Sequence, residues 1–204
     1  MKRIAVLGST GSIGRQTLDV VRALPRQLRV LGLAAGTNLD LLELQAREFR
    51  PALVSCLAPP EECAARLAGV RLCPPEEMAA HPDVDLVVVA TTGRAGLGPT
   101  LRALEAGKAV ALANKEVIVM AGAHVVALAR RTGAPLLPVD SEPSAIWQCL
   151  RGEEAEVRRI VLTASGGAFR TWPLEALARV TPRRRYATPP GRWGRRSPWT
   201  PPPW

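Results

Sequence analysis

The chain contains 204 residues, 47% of them hydrophobic, and its formal net charge is +9. No stretch reaches the roughly 18 uninterrupted apolar residues of a membrane span, and the first predicted strand leaves no room for a signal peptide. We therefore expect a cytoplasmic protein that does not enter a membrane. Six arginines and no acidic residue lie in residues 183–204, so the excess charge belongs to this tail and does not predict nucleic-acid binding by the folded body.

Apolar runs alternate with helical patterns along the chain, which is typical of a parallel sheet covered on both faces. The predicted strands are Arg3–Leu7, Arg29–Ala35, Ala52–Leu57, Val84–Thr91, Lys108–Ala113, Pro135–Val139 and Arg158–Ala164. The predicted helices are Gly14–Leu24, Asp40–Phe49, Glu61–Leu67, Gly98–Ala106, Val117–Arg131 and Ser144–Leu150. Repeated strand–helix–strand units predict an α/β fold, a doubly wound parallel sheet of Rossmann-like type.

A glycine-rich loop, Gly8 to Gly14, lies between the first predicted strand and the first predicted helix. Its glycines follow the pattern G-x-x-G-x-x-G, a variant of the dinucleotide-binding motif, in which they allow a sharp turn and close approach of a pyrophosphate. The helix that follows directs its N-terminus at the phosphates. Ser9, Thr10 and Ser12 add hydroxyl donors, so the loop predicts a dinucleotide site.

The end of the second predicted strand indicates which dinucleotide. NAD sites usually carry an acid there that binds the ribose 2′-hydroxyl. Here the residues are Ala34-Ala35-Gly36-Thr37-Asn38, with no acid before Asp40. An anionic 2′-phosphate would be tolerated, and Arg15 could assist it. The sequence therefore favours NADP over NAD.

Two polar clusters follow later predicted strands, where ligands of this fold bind. In Asn114-Lys115-Glu116, the lysine can bind an anionic or carbonyl oxygen, although a solvated pair at a helix start is the alternative. In Asp140-Ser141-Glu142, two carboxylates suit Mg²⁺ or Mn²⁺, although a helix cap with an acid in the first turn has the same pattern.

A third cluster is the glycine turn Thr163-Ala164-Ser165-Gly166-Gly167. Its backbone N–H groups could bind a phosphate, and a plain turn is the alternative.

Four motifs, taken in order, resemble one enzyme family. They are G-S-T-G-S-I-G (8–14), A-N-K-E (113–116), L-P-V-D-S-E (137–142) and T-A-S-G-G-A-F-R (163–170), with support from T-L-D-V-V-R (17–22) and A-G-L-G-P-T-L (95–101). In these motifs the chain is similar to 1-deoxy-D-xylulose 5-phosphate reductoisomerases, from Met1 to about Pro182. The resemblance implies an NADPH-binding domain at residues 1–139 and the beginning of an α/β catalytic domain at residues 140–182.

The resemblance also implies a reaction and a set of site residues. The family converts 1-deoxy-D-xylulose 5-phosphate into 2-C-methyl-D-erythritol 4-phosphate with NADPH and a divalent metal (Mg²⁺, Mn²⁺ or Co²⁺), as a homodimer. The implied NADPH contacts are Gly8, Thr10, Gly11, Ser12, Ile13, Gly14, Gly36, Asn38, Asn114 and Glu116. The implied metal ligands are Asp140 and Glu142. The implied substrate-binding residues are Lys115, Ser141, Glu142 and Ser165, of which Lys115 and Glu142 are catalytic.

Two residues inside the motifs depart from the family pattern. Thr37 replaces a basic residue that some members have beside the 2′-phosphate, and Pro143 stands where a histidine commonly follows the glutamate of the metal site. Proline suits the first turn of a helix but removes a polar side chain and a backbone donor.

Residues 183–204 depart from the family completely, because the mobile lid and further metal and phosphate ligands expected there do not appear. G+C-rich codons for the family's next segment, read one base later, encode W-G-R-R-S-P-W-T-P-P, which is residues 193–202. We hypothesise that the tail is frameshifted near Pro182, and a natural arginine- and proline-rich tail is the alternative. We expect this chain to bind NADPH weakly and to have little reductoisomerase activity.

Other functions remain as alternatives to this interpretation. The chain could be a nucleotide-binding or regulatory module without catalysis. Another NADP-dependent oxidoreductase, such as a semialdehyde dehydrogenase, would need a cysteine with a histidine partner, which Cys149 lacks.

Because none of the four cysteines has the spacing of a metal site or a C-x-x-C pair, we expect reduced and mostly buried thiols.

Overall fold

The protein is described here by a computed structural model, which describes residues 1–152, 156–161, 169 and 172–181. The chain divides into two compact units, Met1–Glu153 and Glu154–Trp204. The first unit contains the glycine loop and the clusters around Lys115 and Asp140. Ser165 and the glycine turn around it lie outside the described residues, as does the tail from Pro182 onward.

Strands and helices alternate through the first unit. The strands are β1 (Lys2–Leu7), β2 (Leu28–Ala34), β3 (Leu53–Ser55), β4 (Arg71–Leu72), β5 (Leu86–Val89), β6 (Ala109–Leu112) and β7 (Leu136–Pro138). The helices are α1 (Ser12–Ala23), α2 (Leu39–Phe49), α3 (Pro60–Arg66), α4 (Pro75–Ala80), α5 (Leu97–Glu105), α6 (Lys115–Thr132) and α7 (Ser141–Cys149). A 3-10 turn, Gly93–Gly96, precedes α5, and the second unit contains α8 (Leu174–Leu177).

The seven strands form one parallel sheet in the order β4-β3-β2-β1-β5-β6-β7. From β1 the chain builds outward through β2, β3 and β4, and then it returns to the other side of β1 with β5, β6 and β7. The doubly wound parallel sheet predicted from the sequence is confirmed. Since the strand order reverses between β1 and β5, a crevice opens there at the carboxyl ends, where such folds bind ligands.

The sheet separates two hydrophobic cores. Successive side chains of a strand point to opposite faces, so Ile4 and Val6 join the core that includes α1 and α2. Ala5 and Leu7 join the core that includes α4, α5 and α6. All four side chains are at most 1% exposed, which explains the continuous apolar runs of the central strands.

The predicted set of strands and helices differs from the structure in two places. The sequence analysis missed β4 and α4, because β4 has only two residues and both are exposed. The predicted strand Arg158–Ala164 is not a strand over its described part, residues 158–161, where Ile160 and Val161 are exposed. An apolar run becomes a strand only where a neighbouring strand bonds to it, and the ladder pairs of the described residues do not include this segment.

The cysteine expectation is wrong for one pair. Cys56, which follows β3, is joined by a disulfide to Cys63 of α3, because the short connection between them brings α3 back against the end of the strand. Of the other two, Cys73 is buried and Cys149 is exposed. Separately, none of the helices in the described part of the chain combines the length and the apolar character that crossing a membrane would require.

Candidate functional site

The glycine loop is tightly packed against the start of the chain segment that follows β5. Gly8 has φ +85°, and a Cβ atom there would lie 2.5 Å from the carbonyl oxygen of Ala90. At Gly14 a Cβ atom would overlap the Gly8 carbonyl oxygen and lie 2.6 Å from Ser9 Cα. Only glycine fits these positions, because a side chain at Gly8 would push the loop away from the segment after β5, and one at Gly14 would force α1 away from the loop.

Backbone hydrogen bonds anchor the glycine loop to the end of β2. The carbonyl oxygen of Ala34 accepts the N–H groups of Gly8 at 2.8 Å and Ser9 at 2.9 Å, and the Gly11 N–H donates to the Gly8 carbonyl at 3.0 Å. The loop is therefore held at its base by both neighbours of β1 in the crevice, β2 and β5.

The features of this loop fit the pyrophosphate of a dinucleotide. The N-cap of α1 is Gly11, and no side chain caps the helix, so its first N–H groups are available to an anion. The Ser9 hydroxyl oxygen is fully buried and has no hydrogen-bond partner within the described residues. Thr10, Ser12 and Ile13 are partly buried or exposed around the same turn.

The turn after β2 leaves room for a ribose phosphate. Gly36, Thr37 and Asn38 are all exposed, and the Asn38 side chain caps α2 by accepting the Leu41 N–H at 3.1 Å. Because the amide oxygen of Asn38 is used in the cap, its amide N–H₂ group is the part that can donate to a ligand.

The first acid after this turn is paired with an arginine that the sequence analysis did not indicate. Arg66 of α3 binds Asp40 at 2.6 Å and Glu43 at 2.6 Å, and it holds the pKa of Glu43 below its usual range through a side-chain hydrogen bond. Asp40, the first acid after β2, is therefore paired with a guanidinium. Arg15, which was expected to assist a 2′-phosphate, is exposed on α1.

Asn114 connects the ends of β5 and β6. Its side-chain nitrogen donates to the Gly93 carbonyl at 2.9 Å and to Thr91 Oγ at 3.3 Å, while its oxygen caps α6 by accepting the Val117 N–H at 3.3 Å. The residue is 1% exposed. The geometry therefore gives Asn114 a structural task, and its predicted contact with NADPH stays a prediction.

Lys115 extends this line of contacts to the end of β7. It is the first residue of α6, its side chain is 76% exposed, and its Nζ lies 3.9 Å from Asp140 Oδ2. Beside this pair is a cavity of about 380 Å³ whose lining is mainly apolar and includes Leu112, Ile118 and Pro138. Asn114 and Pro143 also line the cavity, so the segments that follow β6 and β7 both contribute to its wall.

Asp140 and Glu142 occupy the start of α7. Asp140 is the N-cap, its Oδ1 accepts the Ser141 N–H at 3.0 Å, and the Ser141 hydroxyl donates to Glu142 at 2.6 Å. The helix-cap interpretation of this motif is confirmed. The cap leaves Oδ2 of Asp140 facing Lys115, so a metal ligand role is compatible with it.

The donor set for a metal is partial in the part of the chain that the structure describes. No group of three or more His, Cys, Asp or Glu side chains comes together there. Mg²⁺ takes about six oxygen ligands but usually only one or two carboxylates from the protein. Asp140 and Glu142 fit that smaller contribution.

Loops after five neighbouring strands thus form one continuous rim. Contacts run from the β2 end through the glycine loop to Ala90, then from Thr91 to Asn114, and finally from Lys115 to Asp140. Every predicted site residue except Ser165 lies on this rim or beside it, because they all follow carboxyl ends of parallel strands. The sequence analysis missed Thr91 and Gly93, whose only signal is their position after an apolar strand, and the buried Gln45 of α2.

Two family models match the sequence. The model described as 1-deoxy-D-xylulose 5-phosphate reductoisomerase matches residues 4–122, and that of the reductoisomerase C-terminal domain matches residues 136–197. The second match continues past Pro182, so the frameshift hypothesis stays a prediction that resequencing across that codon tests.

Similar proteins come from both curated sequences and solved structures. The chain is 50% identical over 192 residues to a 1-deoxy-D-xylulose 5-phosphate reductoisomerase of Pelotomaculum thermopropionicum, covering 89% of this chain and 49% of the relative. It superimposes on the enzyme of Zymomonas mobilis in complex with NADPH with a TM-score of 0.78, at 40% identity, covering 90% of this chain and 50% of that chain. A reductoisomerase structure with NADPH, fosmidomycin and magnesium gives a TM-score of 0.69 at 38% identity, covering 74% and 40%.

The chain spans about half the length of the curated relatives it matches. The sheet, the rim of strand ends and the two family matches agree with one another. This chain belongs to the 1-deoxy-D-xylulose 5-phosphate reductoisomerase family.

Proposed function

We propose that the rim binds NADPH and part of the substrate and metal of the reductoisomerase reaction, in which 1-deoxy-D-xylulose 5-phosphate becomes 2-C-methyl-D-erythritol 4-phosphate. The observation that carries the proposal is the continuous line of contacts from the glycine loop through Asn114 to Lys115 and Asp140. The glycine loop, a lysine and two carboxylates lie along this line, which supports the proposal of a dinucleotide site next to a substrate and metal site.

NADPH would lie across the crevice between β1 and β5. The uncapped N-terminus of α1 and the loop Gly8–Gly14 would hold the pyrophosphate, and Gly36 and Asn38 would contact the adenosine ribose. NADPH is favoured over NADH because the acid after β2, Asp40, is paired with Arg66 and presents less negative charge to a 2′-phosphate. Glu116, at the start of α6, would contact the nicotinamide half.

Substrate would bind where β6 and β7 end. Lys115 would hold an anionic or carbonyl oxygen, and Ser141 a hydroxyl. The role of Ser165 in substrate binding is proposed from the family resemblance alone. Asp140 and Glu142 would hold a divalent metal, which when bound polarises the oxygens of the substrate.

NADPH titration of the purified chain tests the cofactor half of the proposal. We expect quenching of tryptophan fluorescence that saturates with NADPH at lower concentration than with NADH. The substitution Arg66→Glu should reduce that preference, while Arg102→Glu, an exposed arginine on α5, should leave it unchanged. Equal affinity for the two cofactors in the unmodified chain would contradict the argument.

Mn²⁺ titration followed by electron paramagnetic resonance tests the metal half. We expect Asp140→Asn to weaken Mn²⁺ binding by about tenfold or more, because a carboxylate ligand is lost. The matched control is Asp19→Asn, an exposed acid on α1. Equal affinity in the unmodified chain and Asp140→Asn would remove Asp140 from the ligands.

A nucleotide-binding module without catalysis is the second candidate. It is favoured by the incomplete metal donor set within the described residues, which also leads us to expect little turnover from this chain alone. Substrate-dependent NADPH oxidation, with and without Mn²⁺, separates the two candidates. Metal-dependent oxidation that fosmidomycin suppresses would favour the enzyme, and tight NADPH binding without oxidation would favour the module.

We also propose self-association of the chain, as its family implies, which sedimentation tests.

A further inference from the structure

Helix α2 carries one polar side chain on its buried face. Leu39, Leu42, Gln45 and Ala46 form that face, and Gln45 is only 4% exposed. A leucine or methionine would fill a similar volume without placing an amide in an apolar core. Because burying an amide costs free energy unless it forms hydrogen bonds, the contact that Gln45 makes is the feature to explain.

Gln45 reaches the glycine loop from outside it. Its Nε2 donates to the backbone carbonyl of Ser9 at 3.0 Å, across 36 positions of sequence. Ser9 is itself fully buried. The hydrogen bond therefore connects the second turn of α2 to the loop that follows β1.

The Ser9 residue is consequently held by its backbone on both sides. Its N–H donates to the Ala34 carbonyl at the end of β2, and its C=O accepts from Gln45. Ala34 ends β2 and Gln45 lies on α2, and the turn between these two elements contains Gly36 and Asn38. The glycine loop and the turn after β2 are thus connected through the two backbone hydrogen bonds of Ser9.

The same two residues contain the buried side-chain atoms that lack a partner among the described residues, Ser9 Oγ and Gln45 Oε1. Buried polar atoms are rarely left without a hydrogen bond, and exceptions mark strained or functional sites. Here both exceptions belong to the two residues that are joined at the Ser9 carbonyl, so the glycine loop and not only the packing of α2 is involved.

We propose that Gln45 is a positioning residue of the cofactor site, which holds the glycine loop in the conformation that receives the pyrophosphate. The inference rests on the proposed binding of NADPH. Gln45 does not contact the ligand; it acts through the Ser9 carbonyl.

Hydrogen–deuterium exchange of the cofactor-free chain tests the hold on the loop without any ligand. We expect Gln45→Met to raise the exchange rate of the amides of residues 9–14 by about tenfold, as expected for losing one hydrogen bond. Gln27→Met makes the same chemical change at an exposed residue before β2, and it should leave these amides unchanged. Unchanged exchange in Gln45→Met would overturn the proposal.

NADPH affinity provides the second measurement. Gln45→Met should raise the dissociation constant of NADPH about tenfold, by the same hydrogen-bond argument, while that of adenosine 2′-monophosphate, which has no pyrophosphate, should change by less than twofold. Equal weakening of both ligands would indicate a general structural defect and would overturn the positioning role. If Gln45→Met does not fold, Gln45→Leu also removes the amide donor without placing a charge in the core, and the same outcomes apply to it.

The two measurements distinguish the inference from the proposed function. If the unmodified chain does not bind NADPH, the proposed function fails, and the exchange measurement alone then decides whether Gln45 holds the loop. If NADPH binds but neither exchange nor affinity responds to Gln45→Met, only the inference fails.

Discussion

Gly14 shows how closely a single residue can determine the approach of two elements. A Cβ atom added there would overlap the backbone of Gly8 and Ser9, so a methyl group has no space. The sequence pattern alone predicted this glycine, because G-x-x-G-x-x-G after a strand is the signature of close helix–strand packing. It did not show that Gly8 is equally restricted by Ala90, a residue that is far away in sequence.

The first prediction concerns Gly14→Ala. We expect it to destabilise the chain by about 3 kcal/mol, since the new methyl group overlaps backbone that cannot move aside, and to abolish NADPH binding. Urea unfolding measures the stability change. Gly36→Ala is the matched control for stability, because a Cβ there meets nothing within 4 Å. A Gly14→Ala chain as stable as Gly36→Ala would contradict the packing argument.

A second prediction at this scale concerns Asp85, which joins β5 to β1. Arg3 donates to its carboxylate from Nη2 at 3.0 Å and from its backbone N–H at 2.7 Å. These hydrogen bonds, the side-chain one foremost, lower the pKa of Asp85 from 3.8 to about 2. Because the folded pKa is the lower one, the stabilisation is complete above about pH 4 and is lost as the pH falls towards 2.

We therefore expect Asp85→Asn to lower the free energy of unfolding at pH 7 by about 1 kcal/mol, a value reduced for solvent screening because the Asp85 side chain is 37% exposed. The difference from the unmodified chain should shrink between pH 4 and pH 2. Urea unfolding at several pH values measures it. Asp83→Asn, which loses one exposed bond to Arg3, should cost less. A difference independent of pH would contradict the assignment.

Helix ends illustrate what can be read at the scale of an element. Asn38 and Asn114 are the N-caps of α2 and α6, and asparagine is a favoured residue there because its side-chain oxygen accepts a free N–H group of the first turn. Gly133 ends α6 with φ +69°, as expected of a glycine after a helix. Arg50 at the end of α2 adopts the same left-handed conformation with φ +48°, and no rule of sequence predicts that for an arginine.

The third prediction compares these two helix ends. Arg50→Gly should stabilise the chain by about 1 kcal/mol, because glycine adopts the left-handed conformation without steric cost. Gly133→Ala should destabilise it by about 1 kcal/mol for the opposite reason. Thermal unfolding measures both. The argument fails if both substitutions change stability in the same direction.

At the scale of the whole molecule, the rim contacts found among the described residues all belong to the first compact unit. The residues that hold the glycine loop, the turn after β2 and the Lys115–Asp140 pair all lie between Met1 and Glu153. The order of strands places their loops side by side, whereas in the sequence they are separated by helices.

The fourth prediction follows from that placement. A chain of residues 1–152 should fold and bind NADPH with a dissociation constant within twofold of that of the full chain. Fluorescence titration and circular dichroism measure this. Introducing Gly14→Ala into the shorter chain is the control that should abolish binding. Loss of NADPH affinity on shortening would show that residues beyond 152 contribute to the cradle.

The sequence by itself determined the fold class, the glycine loop, the clusters at the strand ends and the family. These are local patterns, since a buried parallel strand is apolar throughout and a close turn requires glycine, and both are visible within a few residues. The sequence also kept open whether Asp140 is a helix cap, and the geometry of α7 decided that point.

Only the tertiary structure decided which distant residues meet. It placed Arg66 on Asp40, joined Cys56 to Cys63, set the edge strand β4 in the sheet and brought the amide of Gln45 to Ser9. None of these contacts has a local signature, because each depends on how separate elements pack around the sheet. In the sequence, Gln45 only interrupts the apolar face of a predicted helix. Its hydrogen bond to the Ser9 carbonyl is seen only in the folded chain, where α2 packs beside the glycine loop.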